Sequence, residues 1–336
     1  MTELRLLDPR HGIHNPCAGT PARRPGSIRR TTTIDCLRPG GLEGPLVVIG
    51  RARDLITASD GTARLVDEAR FEARIAYADD YRLVTLDTLP ARPEVARLIG
   101  ASVSSGFRSK VIEAMPDLRD DATALHLLLD DFPGAALVSG YVMVRARIPR
   151  QRAGKFALQF VDMCSGWREG GTLASEYAAS GQTLVPTPTG PVAPPPITLD
   201  DALSWHGYDL LPAHGMRRAR RMDVHDDGTL RFDIWFRDSH MSAERDETVL
   251  HEYTTRGGAD CDGRTLLDIS SEARVLPWQE CIGAVESGTW LAGRSIAGLR
   301  QSIRAEFTGT HTCTHLNDTL RSLEDLPALA RALHTR

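Results

Sequence analysis

Lysine is nearly missing from this chain. Lys110 and Lys155 are the two it has in 336 residues, so almost all of the positive charge is arginine. Beside abundant alanine, that bias reads as the composition of a GC-rich bacterial genome rather than an adaptation. An excess of either sign is lacking too. The net charge is −4 and is spread along the chain, leaving no field to capture nucleic acid or an anionic membrane, so neither partner is expected. No apolar run approaches the roughly 18 residues that a membrane span needs. The opening MTELRLLDPRHG lacks the charged-then-apolar order of a signal peptide, and a cytoplasmic location is the expectation. Paired Cys-x-x-Cys motifs are absent. Cys17, Cys36, Cys164, Cys261, Cys281 and Cys313 are dispersed and are expected as free thiols or ligands rather than a disulfide framework. GxGxxG, Walker, GxSxG and HExxH motifs are also absent, which argues against ordinary dinucleotide, nucleotide, serine-hydrolase and zincin chemistry.

What is present is a repeat. Ser27–Asp35 (SIRRTTTID) aligns with Gly215–Asp223 (GMRRARRMD), Arg-Arg on Arg-Arg and the closing apolar-Asp pair on its twin. Pro45–Leu55 then matches Leu230–His240, with Arg53-Asp54 on Arg237-Asp238. Leu98-Ile99-Gly100 matches Leu291-Ala292-Gly293, and Leu125-His126-Leu127 matches Thr314-His315-Leu316. His11-Gly12 echoes His206-Gly207. Ordered matches of this kind indicate two copies of one module, about 11–135 and 206–336, joined by a connector over 136–205.

Each copy begins with β-branched or alternating patterns, which predict strands over Thr31–Cys36, Leu46–Leu55, Ala69–Tyr77 and Tyr81–Leu86, then over Arg218–Val224, Leu230–Arg237, Val249–Thr255 and Thr265–Ile269. Helical spacing follows at Val95, Leu98 and Ile99, then at Phe107, Val111 and Ile112. In the second copy it appears at Val285, Trp290 and Leu291, then at Ile296, Leu299 and Ile303, with Gly100 and Gly293 as stops. The expected fold is α+β: two tandem antiparallel-sheet-plus-helices modules. Arg217-Arg218 and Arg220-Arg221 are expected on a solvated strand face. In the connector, Lys155–Met163 can form a helix, and Pro186–Pro196 reads as an extended linker across the surface.

Coordinating chemistry concentrates in the last sixty residues. Cys281 follows a strand-like run, and Cys313-Thr314-His315 opens the final helix, whose Leu316, Leu320 and Leu323 form its buried stripe. The helix N-terminus is expected to lower the Cys313 pKa toward the thiolate. Residues two apart on a helix diverge by about 200°, so Cys313 and His315 act together only if Cys313 sits at or before the cap.

The order Pro-Trp-x-Glu-Cys, a helix ending in Leu-x-Gly, then a Cys-Thr-His-Leu helix resembles the bacterial family known as domain of unknown function 2889. The resemblance covers Met216–Leu323 well and the first copy only in degenerate form. More distantly, the order of elements is similar to iron–sulfur scaffold proteins of the NifU and SufE type. That likeness implies three loops brought together: the turn after Phe236 with Asp238 and His240, then Cys281, then Cys313 and His315. Where those scaffolds have mostly cysteines, this sequence has a mixed acid, imidazole and thiol set.

Cys281, Cys313 and His315 are ligand types that zinc favours, with Asp238, His240, Glu280 or water for a fourth place. A metal-free site would use Cys313 as nucleophile, His315 as proton carrier and Asp238 as a supporting acid, although Asp238 and Asp54 are also natural ion-pair or cap residues. The bland alternative leaves both thiols as small buried hydrophobes. His206, His214, His225 and His251 read as surface or internally satisfied positions. The functional expectation is a small-molecule catabolic enzyme of lyase or hydrolase type, possessing a Cys/His site that takes zinc or works without metal. The competing class is a metal- or sulfur-handling scaffold. The sequence fixes neither the oligomeric state nor the substrate.

Overall fold

The computed structural model describes residues 10–104, 106–146, 161–180, 189–198 and 200–335. It is an α+β fold built on one antiparallel sheet of eight strands, and all eight predicted strands are present, each longer than its pattern implied. They are β1 (Ser27–Leu37), β2 (Leu46–Thr57), β3 (Ala63–Ala76), β4 (Arg82–Leu89), β5 (Met216–Asp226), β6 (Leu230–Met241), β7 (Glu247–Ala259) and β8 (Leu266–Val275). The order is β4-β3-β2-β1-β5-β6-β7-β8, so two four-stranded meanders meet where β1 pairs with β5. The halves therefore share one continuous sheet.

Helices follow each meander, each set opening with a 3-10 segment. After β4 come a 3-10 segment (Pro93–Leu98), α1 (Phe107–Ala114), α2 (Pro116–Asp120), α3 (Ala124–Val138) and α4 (Tyr141–Arg145); α5 (Thr172–Ser180) belongs to the connector. After β8 come a 3-10 segment (Gln279–Leu291), α6 (Leu299–Glu306), α7 (Thr314–Arg321), a 3-10 turn (Ser322–Asp325) and α8 (Leu326–His334). Gly100 and Gly293 take positive φ of 85° and 78°, and Gly106 and Gly298, opening α1 and α6, take 85° and 79°, conformations that glycine adopts without a Cβ penalty. Of the expected helical stretches, those at 95–98 and 285–291 are 3-10 rather than α. The final helix breaks before Pro327, whose ring fits a helix only in its first turn. The predicted connector helix lies largely outside the described residues, as do positions 186–188 of the linker.

The helices cover one face and form two apolar cores, one behind each meander, centred on Phe71, Phe107 and Phe132 and on Phe236, Leu316 and Leu320. The other face of β1 and β5 is covered as well. Residues 10–26, 189–198 and 200–215 cross it, held by arginine donors to backbone carbonyls: Arg29 to Pro21, Arg53 to Leu203, Arg217 to Asp209 and Arg237 to Pro194. This corrects the expectation for Arg217-Arg218 and Arg220-Arg221. Each is at most 5% exposed, because alternation reports that a strand has two faces, not that the second meets water.

The ion-paired charge on the helix face is balanced. Arg30, Arg108, Arg218, Arg220, Arg300 and Arg321 pair with Asp54, Asp130, Asp131, Asp238, Asp318 and Asp325, six of each sign, with Arg108 and Asp318 half-buried and the rest buried. Ala124–Arg145, spanning α3 and α4, is long and apolar enough to cross a membrane by length and composition, contrary to the sequence reading. Here it is mostly buried and packs over β1, β2 and β3, with Asp130 and Asp131 in ion pairs.

Candidate functional site

Cys313 is the N-cap of α7, with extended φ/ψ of −135° and 128°, which meets the condition for acting together with His315. Its Sγ lies 3.7 Å from His315 Nδ1. On the other side of the ring, His315 Nε2 lies 3.6 Å from Asp238 Oδ2. Arg218 fixes that carboxylate, its Nε and Nη2 donating to the two oxygens at 2.9 and 3.0 Å, while its Nη1 donates to Asp318 at 2.7 Å. Arg218 packs against α3 at Gly134, where a Cβ would come within 2.3 Å of Nη1.

The site gains a residue the sequence reading left out. His251 lies opposite Asp238 across the β6/β7 pair, and its ring stacks on His315 with centroids 3.6 Å apart and planes 15° apart. The register shift between Asp238 and Ser239 aligns it there. A hairpin closed by residues 242–246 was the signal available in the sequence, but the bulge hides the pairing. His240 takes another position. Alternate residues on a strand share a face about 7 Å apart, and its ring meets Tyr141 edge-on at 5.2 Å, away from the Asp238, His251 and His315 group. Glu280 accepts from the Thr172 amide and hydroxyl at 2.8 and 2.7 Å, at the start of α5, and so is engaged outside that group.

Cys281 is buried in the same region. Gly166 leaves room for it, since a Cβ there would sit 2.8 Å from the sulfur. The Cys164-Ser165-Gly166-Trp167 segment clamps the two cysteine loops: the Ser165 amide donates to Thr312 O at 2.9 Å and its hydroxyl donates to Glu280 O. Together these surfaces border a cavity of about 530 Å³, walled by Pro133 and Leu137 of α3, Val144 of α4, Cys164 and Trp167 of the connector, and Trp278, Cys281, Cys313 and His315 of the second half.

Burial sets the protonation states. It pulls His315 down to about 3, helped by Arg218, and drives His251 well below its ordinary value, so both rings are neutral. Burial also raises Cys313, outweighing the Tyr253 hydroxyl and the His315 and Leu316 amides that favour the thiolate; those amides point toward the sulfur without completing a cap hydrogen bond. The expected depression by the helix terminus is thus overcome. Cys281 is pushed well above its usual range by burial and by Cys313 and Cys164 nearby.

Asp238, His251 and His315 bring ligand atoms within 4.8 Å of one another, and among the described residues they are the group able to hold a divalent ion. Neutral imidazoles are the ligating form, and His251 Nδ1 is buried without a partner. The orientation fits less well. Imidazole lone pairs lie in the ring plane, so an ion shared by two stacked rings requires one ring to turn, and Asp238 would share with the ion an oxygen that already accepts from Arg218.

These features define an α+β protein with a thiol, imidazole and carboxylate aligned at a cavity between its two halves. Residues 216–328 match the family described as "Protein of unknown function (DUF2889)", so the second half, from β5 into α8, is a DUF2889 module. The match includes Arg218, Asp238, His251, Cys281, Cys313 and His315. No curated protein and no solved structure matches the chain.

Proposed function

We propose that this protein is a small-molecule enzyme of hydrolase or lyase type in which Cys313 is the nucleophile, His315 carries its proton and Asp238 orients the ring. The observation that carries this reading is the Cys313–His315–Asp238 line, at 3.7 and 3.6 Å, on the wall of a largely apolar cavity. Because thiol and imidazole both rest uncharged, the proton moves from Sγ to His315 Nδ1 only as the sulfur bonds to an electrophilic carbonyl carbon. In a hydrolytic cycle, return of that proton to the leaving group breaks its bond to carbon, and water then releases the acyl group. Intact-mass measurement during turnover of small thioesters and esters tests it. An acyl adduct on Cys313, lost in Cys313→Ala, supports the reading; turnover unchanged in that variant overturns it.

A bound divalent ion, zinc first, is the second reading, supported by the ligand group just described. It would supply Lewis acidity, with Asp238, His251 and His315 holding it. Stoichiometric metal lost in His251→Phe would favour it. A metal- or sulfur-handling scaffold draws support from the order of strands, cysteine turn and cysteine-opened helix, but an acid and two imidazoles stand where such a role calls for thiols.

We also infer that the halves descend from one duplicated module. In the repeat, Thr32 falls on Arg220, and those residues pair across β1 and β5. Arg29–Asp223 and Arg217–Asp35 are then equivalent ion pairs, as are Arg30–Asp54 and Arg218–Asp238.

A further inference from the structure

A second cavity of about 590 Å³ adjoins the first and shares Arg108, Met163, Arg304, Thr314 and Asp318 with it. Its character is different. Arg108, Arg304 and Arg321 line it, and its carboxylates are engaged: Asp318 by Arg108 and Arg218, Asp162 by the Glu169 amide.

The balanced set of six arginines and six aspartates leaves Arg304 out. Its contact is the Ser109 hydroxyl across the junction of the halves, at 3.3 Å, and among the described residues no carboxylate lies within 4.0 Å of it. Arg321 is 5% exposed and its Nε, a strong donor, is buried with no acceptor. Burial, with Arg108 and Arg300, depresses its pKa against the opposing pull of Asp130 and Asp318. The neighbouring Asn317 Oδ1 is unpartnered as well and suits a hydroxyl on the same ligand.

We propose that this second chamber is an anion subsite, in which Arg304 and Arg321 bind a carboxylate or phosphate group of the molecule whose apolar body occupies the first cavity. The substrate class is then an amphipathic acid, charged at one end, with its reactive carbonyl at Cys313. The inference rests on the first cavity being the substrate site.

Two dyes with similar apolar bodies separate the claims: anionic 8-anilinonaphthalene-1-sulfonate and neutral N-phenyl-1-naphthylamine, titrated by fluorescence into the full chain. Arg304→Gln should weaken the anionic dye about 10-fold, as loss of a charge-assisted contact does, and leave the neutral one unchanged, with Arg304→Lys restoring much of the loss. Displacement of the anionic dye by inorganic phosphate or by acetate, at matched ionic strength, assigns the anion as phosphate or carboxylate. Equal effects of Arg304→Gln on both dyes, or on neither, overturn the subsite while leaving the apolar cavity intact, as does displacement by neither anion. Failure of both dyes to bind, or undiminished binding to a cavity-filling Cys164→Trp variant, overturns the cavity reading and the subsite with it.

Discussion

His251 and His315 stack face to face at 3.6 Å, the first buried and the second half-buried beside Arg218, and both neutral. A ring that serves as a shelf is replaceable by another flat ring, whereas a ligand or proton carrier is not. His251→Phe should therefore keep at least half of the turnover if the thiol mechanism operates. Loss of activity together with loss of bound metal would instead favour the ion reading. Steady-state kinetics and metal analysis on the same preparation distinguish the two.

The thiols differ in reactivity in a way that alkylation can read. Cys261 is exposed, while Cys281 and Cys313 are buried with raised pKa values. At pH 8, iodoacetamide should label Cys261 first and the other two at least about 10-fold more slowly, since the thiolate is the reacting form. Peptide mapping over time gives the order; early labelling of Cys313 would mean that its thiolate is already present at rest.

Arg220 and Asp131 are 0% and 2% exposed, and their side chains bond at 2.7 and 2.9 Å. Removing one charge strands the other, so Asp131→Asn or Arg220→Met alone should cost about 3–5 kcal/mol. The double change Arg220→Met with Asp131→Leu should recover much of that loss. Urea unfolding of the three variants checks it.

Acid sensitivity should begin above the carboxylate range. Burial lowers His126 and His240 to about 4, His206 and His315 to about 3, and His251 further. An unfolded imidazole takes up a proton near 6.5 while these folded ones do not, so stability falls as pH drops from 6.5 toward 4, by about 1.4 kcal/mol per pH unit for each such group. Denaturation midpoints that stay level between pH 6.5 and 5 would contradict this.

Much of the architecture was written locally. Eight β-branched or alternating segments marked eight strands, and Gly100 and Gly293, read as helix stops, sit at positive φ. The Cys313–His315 contact was legible because it depends on one helix cap. What was not legible depends on pieces distant in sequence. Arg217, Arg218, Arg220 and Arg221 carry the look of a wet surface; the segments crossing behind β1 and β5 cover Arg217 and Arg221, and α3 and α7 cover Arg218 and Arg220 on the helix face. His251 enters through a bulged register, and His240 leaves because the strand carries it toward Tyr141. Asp238 was foreseen both as an ion-pair residue and as a site residue; Arg218 holds it in a way that allows both.

The β1–β5 seam has a consequence for cutting the chain. A polypeptide holding residues 216–328 alone would present β5 as a bare margin, with Arg217 and Arg220 deprived of Asp35 and Asp131. Such a fragment has two routes to relief: to seize the complementary fragment in trans, or to dock antiparallel against its own twin along that strand. The two halves of this protein are in that sense a tethered dimer, and a nick in the tether should leave them joined.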